Sequence, residues 1–320
     1  MRPLWKDVLT ALWLGILIPG ILLQAAVLED RKKQPEPVET AAAETVPEPA
    51  AFVSLRQNDG SVIPVDRLTY LTGVVLAEMP AAFEEEALKA QTVCAGTYVR
   101  KAEYTGGKHG DGSVCTDSGC CQGFLWEEEY LSRGGTGESV AKVRLAVDAA
   151  EPYALVYEDE LIEAVYFSSS GGRTEAAVAV WGAAFPYLQS VESPGEEAAR
   201  YHTDSLLIPA ADFFSLLGIP LPEDAVSGLG QPVYTEGGGV ASMEICGERF
   251  TGTQLRSLLG LRSTAFSLES VGEYIRISTR GYGHRVGLSQ YGANAMAEAG
   301  SSWQQILAHY YPGTQVVPLP

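Results

Sequence analysis

Glu78 is the residue whose chemical type and position best suit general acid catalysis. Leu71, Val75 and Glu78 lie on one stripe of a predicted helix, and Pro80 ends that helix just beyond the carboxylate. Burial and the negative end of the helix dipole both disfavour a charged carboxylate there, so we expect a raised pKa. A raised pKa is what a general acid needs near neutral pH. The alternative is that Glu78 faces solvent at a frayed helix end.

A glycine-rich segment holds a second set of reactive side chains: His109, Cys115, Cys120 and Cys121. One imidazole and three thiolates predict a structural Zn²⁺ site of the Cys₃His type, with no open position for water. The spacing differs from common zinc fingers, and a disulfide is the alternative outside the cytoplasm. Since adjacent cysteines cannot easily bond to each other, a disulfide within this loop would leave a thiol unpaired. Cys94 and Cys246 are expected to be buried, small hydrophobic residues.

Two further glycine-rich loops offer groups that suit sugar binding. Glycine lets the backbone approach a ligand, hydroxyls and amides bond to sugar hydroxyls, and tyrosine rings offer stacking faces. Each loop alone is more often an ordinary turn. No nucleophile-elbow pattern surrounds the serines, so a serine hydrolase is not favoured. The predicted substrate-binding residues are Ser168, Ser169, Ser170, Gly171, Gly172, Arg173, Thr174, Tyr282, His284, Ser289, Gln290 and Tyr291.

Short, interleaved helices and strands must position these groups. Because they lack regular βαβ spacing, we predict an α+β fold, with mixed helices and short strands around a substrate groove. Asp66 caps the helix that carries Glu78. The other predicted elements are strands at residues 53–56, 62–65 and 274–277, two strands within 155–167, and helices at 84–101, 253–260 and from about Ser289.

Charge and hydropathy set the remaining limits. The 320 residues include 22 Lys and Arg against 40 Asp and Glu, a net charge of −18, which argues against nucleic acid as the main partner. Residues 8–27 carry no charge and would span about 30 Å as a helix. We therefore predict a transmembrane anchor over residues 1–30, with a cleaved signal peptide as the alternative. Residues 31–51 are predicted to be a disordered linker, and residues 52–320 the extracytoplasmic catalytic domain.

Several segments together resemble one family. They are residues 70–80 with 87–91, then 167–174, 255–261, 281–292 and 310–314, in that order. In them the sequence resembles the stage II sporulation protein D family over nearly all of residues 52–320. An apolar N-terminal segment precedes the domain in that family as well.

The resemblance implies a peptidoglycan lytic transglycosylase in which Glu78 matches the catalytic glutamate. Such enzymes cleave the β-1,4 bond between MurNAc and GlcNAc in glycan strands free of stem peptides, and leave 1,6-anhydro-MurNAc ends. The resemblance also implies two partners, the amidase stage II sporulation protein P and the membrane protein stage II sporulation protein M. The implied location is the mother-cell membrane facing the forespore, during engulfment.

The sequence departs from the family pattern at two positions. His109, Cys115 and Cys121 match ligands of a two-Cys, two-His zinc site, and Cys120 stands where the second His would be. Arg285 replaces a usual glycine, and we expect its bulk and charge to alter substrate contact beside His284. Two other functions stay open: a non-catalytic, glycan-binding modifier of a partner cell-wall amidase, and a zinc-dependent amidase. The amidase is least favoured, because four protein ligands would fill the metal.

Overall fold

The computed structural model describes residues 51–224 and 228–319. The predicted anchor and nearly all of the predicted linker lie outside these residues. Within the described ranges, no helix is both long and apolar enough to cross a membrane. The prediction of an α+β domain preceded by a transmembrane helix is therefore corrected to a mixed arrangement of helices and small sheets, with no spanning helix among the described residues.

Two helices form the centre of the part that carries Glu78. Strands β1 (Phe52–Arg56) and β2 (Val62–Asp66) pair in antiparallel fashion and lead directly into helix α1 (Arg67–Glu78). As predicted, Asp66 caps this helix by accepting a hydrogen bond from the backbone N–H of Thr69 at 3.0 Å. Helix α2 (Glu85–Thr105) follows, and its mostly buried small residues allow close packing against its neighbours.

Shorter elements surround these two helices. In chain order they are β3 (Val114–Cys115), α3 (Glu127–Ser132), α4 (Gly137–Ala150), β4 (Tyr153–Tyr157), β5 (Glu160–Leu161), β6 (Tyr166–Phe167) and α5 (Ala177–Trp181). The predicted hairpin within residues 155–167 is present as β4 and β5, but its second strand has only two residues. Helix α2 packs on α4 and β4, so it is buried along much of its length.

Residues 203–280 build a separate group of sheets around their own hydrophobic core. The elements are β7 (Thr203–Pro209), α6 (Ala210–Leu216), β8 (Val233–Tyr234), β9 (Val240–Ile245), β10 (Glu248–Thr251), α7 (Gly252–Leu258), β11 (Phe266–Val271) and β12 (Tyr274–Arg280). They form two three-stranded sheets, in the orders β10–β9–β8 and β11–β12–β7. One side of β12 is buried through Ile275 and Ile277, as alternation in a strand requires.

The C-terminal elements return to the first core. They are β13 (Leu288–Ser289), α8 (Gln290–Glu298), α9 (Trp303–Tyr310) and β14 (Gln315–Pro318), and β14 pairs with β4. Strand β13 pairs in parallel with β6, with Leu288 opposite Tyr166 and Ser289 opposite Phe167. Because a glycine-rich loop adjoins each of these strands, the pairing brings both loops together.

The two cysteines outside the His/Cys loop differ from each other. Cys94 is fully buried, as predicted, and its sulfur lies 3.3 Å from the hydroxyl of Tyr311. Cys246 is exposed, so the prediction of a buried residue is wrong there. It occupies a left-handed position (φ 50°) in the turn between β9 and β10.

Candidate active site

Glu78 is the last residue of helix α1 and is half-buried. Its Oε1 accepts a hydrogen bond from the backbone N–H of Gly123 at 2.5 Å, and the side chain of Gln290 also bonds to it. Burial raises the pKa of the Glu78 carboxyl above its usual range, and these two hydrogen bonds only partly oppose that shift. Glu78 is therefore suited to hold a proton.

A groove of about 1000 Å³ opens beside this carboxylate. Four of the predicted substrate-binding residues line it with Glu78: Ser168, Tyr282, His284 and Gln290. Trp181 and Phe185 add aromatic surface, and Tyr282 keeps 41% of its side chain exposed. Polar groups and open aromatic faces together suit a sugar ring, which has hydroxyls at its edge and apolar faces.

His284 lies among aromatic rings in this groove. Its imidazole is 5.3 Å from the ring of Trp181 and 5.7 Å from that of Phe167, measured between centroids. Burial, and secondarily the positive charge of Arg256, lower the pKa of His284 to about 4. Its Nδ1 accepts the backbone N–H of Val286 at 3.1 Å. His284 is thus a neutral group near pH 7, positioned to make hydrogen bonds.

Several of the other predicted residues surround a buried carboxylate, Glu196, instead of lining the groove. Glu196 accepts hydrogen bonds from the hydroxyls of Ser170, Ser193 and Ser289 and from the backbone N–H groups of Ser170 and Gly171. These five donors fix the 168–174 loop against the start of α8. No pattern around Glu196 in the sequence indicated this role.

The remaining predicted residues lie along the same two loops. Ser169 pairs through its backbone with Tyr282, at 3.2 Å and 2.8 Å, and the backbone N–H of Gly172 donates to Ser170. Thr174 bonds to the backbone of Val191. Two side chains have partners away from the groove: Arg173 lies 2.9 Å from Glu236, and Tyr291 packs edge-on against Phe83. Their part in substrate binding stays a prediction.

Arg285 does not project into the groove. Its side chain is only 2% exposed, pairs with Glu175 at 3.2 Å, and donates to the backbone carbonyls of Ser170, Arg173 and Gly237. The backbone has φ 65°, a left-handed conformation in which glycine is more usual. The expected change in substrate contact is therefore corrected, since Arg285 ties loops together below the site.

The predicted metal ligands converge. One donor atom from each of His109, Cys115, Cys120 and Cys121 lies within 4.8 Å of all the others. The Cys121 sulfur is 3.5 Å and the Cys120 sulfur 3.9 Å from Nε2 of His109, and these two sulfurs are 3.9 Å apart. The cysteines are free thiols, so the disulfide alternative is not what the structure shows. Four donors around one point can hold a metal ion.

Local structure brings these four donors together. Cys115 lies in β3, which pairs in parallel with β1, while the carbonyl of Asp117 accepts the backbone N–H groups of both Cys120 and Cys121. Burial would raise the pKa of the Cys115 thiol, but hydrogen bonds from Asp117 and His109 lower it to about 7. Cys115 is therefore easily deprotonated, as a metal ligand must be, whereas burial, and next the hydrogen bond with Cys115, raise the pKa of Cys120 to about 11.

Gly123 is the part of the site that the sequence did not reveal. It follows the cluster by two residues and contributes only a backbone N–H, so no side-chain pattern marks it. Gln122 lies beside it and bonds to Tyr70 at 3.1 Å and to Tyr166 at 2.9 Å. These bonds fix the segment that holds Glu78.

Comparison with known proteins decides the family. The chain is 36% identical over 273 residues to Stage II sporulation protein D of Bacillus subtilis (strain 168), covering 84% of this chain and 79% of the relative. The chain belongs to the stage II sporulation protein D family. A family profile described as "Stage II sporulation protein" matches residues 57–157 of this member, a range that includes Glu78, Gly123 and the His/Cys loop.

Two further relatives support this assignment. Stage II sporulation protein D of Bacillus amyloliquefaciens is 36% identical, again with 84% of this chain and 79% of the relative covered. The amidase enhancer of Bacillus subtilis (strain 168) is 29% identical over 301 residues, covering 76% of this chain but only 40% of that protein.

Proposed function

We propose that this chain is a lytic transglycosylase that cleaves the MurNAc–GlcNAc β-1,4 bond of stem-peptide-free peptidoglycan during sporulation. The observation that carries the proposal is a single carboxyl group, Glu78, with a raised pKa at the edge of a sugar-sized groove. Family membership and the names of the relatives support a role in the sporulation cell wall.

In the proposed reaction Glu78 acts first as an acid and then as a base. Its carboxyl proton passes to the glycosidic oxygen while the bond to C1 breaks through an oxocarbenium-like state. The resulting carboxylate then takes the proton of the muramyl C6 hydroxyl as that oxygen bonds to C1. The product is a 1,6-anhydro ring, and no water is consumed.

The Gly123 N–H contributes to the second half of this cycle. This hydrogen bond stabilises the carboxylate after the proton has left. Because the N–H group carries no net charge, it does not keep Glu78 ionised before the reaction. Gln290 bonds to the same side chain, so the orientation of the carboxyl group is restricted.

A second carboxylate, Glu163, also lines the groove, so an ordinary two-carboxylate hydrolase has to be considered. Its Oε1 is paired with Nζ of Lys101 at 2.8 Å. This ion pair occupies one of the two carboxylate oxygens of Glu163. We therefore assign Glu163 no chemical step, and the substrate hydroxyl replaces the second carboxylate.

We propose that the His/Cys cluster holds Zn²⁺ through His109, Cys115, Cys120 and Cys121. Tetrahedral zinc with Zn–S near 2.3 Å and Zn–N near 2.0 Å places sulfurs about 3.8 Å apart and sulfur about 3.5 Å from nitrogen. The 3.5–3.9 Å separations around His109 fit this geometry. Bound zinc supplies structural stability there, since four protein ligands complete its coordination.

The proposed partners and location follow from the substrate. Strands without stem peptides require an amidase acting first, and stage II sporulation protein P is the proposed partner for that step, with stage II sporulation protein M as the membrane component. The substrate lies outside the cytoplasmic membrane, so we propose that the catalytic domain acts there, at the mother-cell membrane facing the forespore.

Digestion of purified denuded glycan strands tests this function. Mass spectrometry should find 1,6-anhydro ends, whereas free reducing ends would show a hydrolase. A second candidate is a glycan-binding modifier of an amidase, favoured by the similarity to the amidase enhancer. That candidate predicts no cleavage product alone and faster cleavage by the amidase when the chain is added.

A further inference from the structure

We propose that the exposed face of the sheet β11–β12–β7 is a second glycan-binding site, which holds a strand whose sugars carry carboxylates. This inference rests on the proposed function, because it takes the same polysaccharide as ligand. It adds a site outside the catalytic groove, in residues that the chemistry of Glu78 does not use.

The strand register places a row of hydroxyls across this face. Ser278 of β12 lies opposite Ser205 of β7 on one side and Ser267 of β11 on the other. Residues directly opposite in a sheet share a face, so all three side chains project together. Two residues further along, Arg280 lies opposite Thr203 and belongs to the same face. Ile277 and Thr279, the residues of β12 on either side of Ser278, point to the other, buried side of the sheet.

These polar side chains have no protein partner within the described residues. The hydroxyls of Thr203, Ser205, Ser267 and Ser278 donate no hydrogen bond there, and neither does the guanidinium of Arg280. Arg276, four residues earlier on the same face, provides a contrast, because it is paired with Glu269 at 2.7 Å. Within the described residues Arg280 is thus an unpaired cation, a group that attracts a carboxylate locally even though the protein as a whole carries a net charge of −18.

The face forms one wall of a groove of about 800 Å³ that an aromatic ring completes. Tyr234 comes from β8 of the neighbouring sheet and is 54% exposed. Nη2 of Arg280 lies 3.8 Å from where a Cβ would stand at Gly238, so the guanidinium lies over the loop that follows Tyr234. Hydroxyl donors, one cation and one open ring match a sugar with a carboxylate substituent, as muramic acid has.

A short stretch of chain connects this sheet face to the active site. Arg280 is two residues from Tyr282, at most about 7 Å along the chain, and Tyr282 lines the catalytic groove. Arg262 connects strand β7 to Tyr282. It pairs with Asp204 of β7 at 2.6 Å, and its guanidinium carbon lies 3.6 Å from the centre of the Tyr201 ring, which packs against Tyr282.

Cosedimentation with denuded glycan strands tests the site without turnover. Full-length Glu78→Gln protein is the parent, and Arg280→Gln is introduced into it. We expect about tenfold weaker binding, the loss typical of one charge-assisted hydrogen bond. Arg276→Gln is the matched control, because it removes an arginine that is already paired, and its binding should change less than twofold. Parent protein should bind carboxyl-reduced strands as weakly as Arg280→Gln binds native ones.

Three outcomes would overturn the site: parent and Arg280→Gln binding equally, Arg276→Gln losing as much as Arg280→Gln, or reduced strands binding as tightly as native ones. Tyr234→Ala gives a second measure and should also weaken binding, while all variants keep the circular dichroism spectrum of the parent. Cleavage of the same strands by protein with Glu78 intact is measured separately. This cleavage assay reports on the proposed function, so a failure of the proposed binding site can be distinguished from a failure of the proposed function.

Discussion

The backbone N–H of Gly123 donates to Oε1 of Glu78 across 2.5 Å, from a segment that begins two residues after the last cysteine of the His/Cys cluster. The acid at the end of α1 is therefore held by a loop, not by its own helix. Because Gly123 has no side chain, nothing separates its backbone from the carboxylate. The arrangement links the His/Cys cluster to the position of the Glu78 carboxyl group.

Gly123→Ala should reduce cleavage strongly while the protein stays folded. A Cβ at this position would lie 2.8 Å from Oε1 of Glu78, which is too close, so the carboxylate must move. Loss of orientation at a reacting group can cost about a hundredfold in rate. The rate of release of anhydro ends checks this. Gly137→Ala is the control, because a Cβ there meets no atom within 4 Å; equal activity of the two variants would contradict the role of Gly123.

Purified protein should contain about one zinc per chain, and Cys121→Ser should lose it with a lower melting temperature. A cluster with one ligand removed binds metal more weakly, and the free energy of binding contributes to folding. Elemental analysis and thermal unfolding measure both effects. Cys246→Ser is the matched control, since this cysteine is exposed and lies outside the cluster. The site would be refuted by wild-type protein that contains no zinc, together with a Cys121→Ser variant whose melting temperature equals that of wild type.

His284 should make the protein less stable as the pH falls from about 6.5 to about 4. Its pKa is near 4 in the folded state and about 6.5 when unfolded, so the unfolded chain binds the extra proton first in this window. The full loss in the free energy of unfolding is about 3 kcal/mol; the loss is absent above pH 6.5 and complete near pH 4. Denaturant unfolding at several pH values should show a shallower slope for His284→Gln than for wild type; identical slopes would argue against a buried neutral imidazole.

Glu175→Gln should destabilise the protein by about 3 kcal/mol, because it leaves the buried guanidinium of Arg285 without its counter-charge. The ion pair Arg249–Glu244 provides the comparison, since both side chains are well exposed at a separation of 3.5 Å. Glu244→Gln should cost less than about 1 kcal/mol. Denaturant midpoints measure both variants, and similar losses at the two sites would contradict a structural role for Arg285.

The sequence predicted the parts of the site that depend on local signals. Asp66 and Pro80 delimit the helix that ends at Glu78, and the four donors of the His/Cys cluster lie within thirteen residues of one another. Capping and chain reversal act over a few residues, so their patterns can be recognised from the amino-acid sequence alone. Tyr282 and His284 were found through a glycine-rich loop that does line the groove.

The sequence did not predict groups whose role depends on contacts between distant segments. Gly123 acts through its backbone from 45 residues beyond Glu78. Glu196 has no local signature, although it holds Ser193 and two of the predicted sugar ligands, Ser170 and Ser289. Arg285 bonds to Glu175 and Ser170, which lie 110 and 115 residues away in the sequence. The sheet β11–β12–β7 was largely missed too, because only the register shows that its serines share one face.

The most direct measurement is the reducing-end chemistry of denuded glycan digested by three purified proteins: wild type, Glu78→Gln and Glu163→Gln. We predict 1,6-anhydro-MurNAc ends from wild type and from Glu163→Gln, and none from Glu78→Gln, whose neutral amide cannot transfer a proton. Circular dichroism should show all three folded. Anhydro ends from Glu78→Gln, or free reducing ends that disappear in Glu163→Gln, would contradict a mechanism that relies on one carboxyl group.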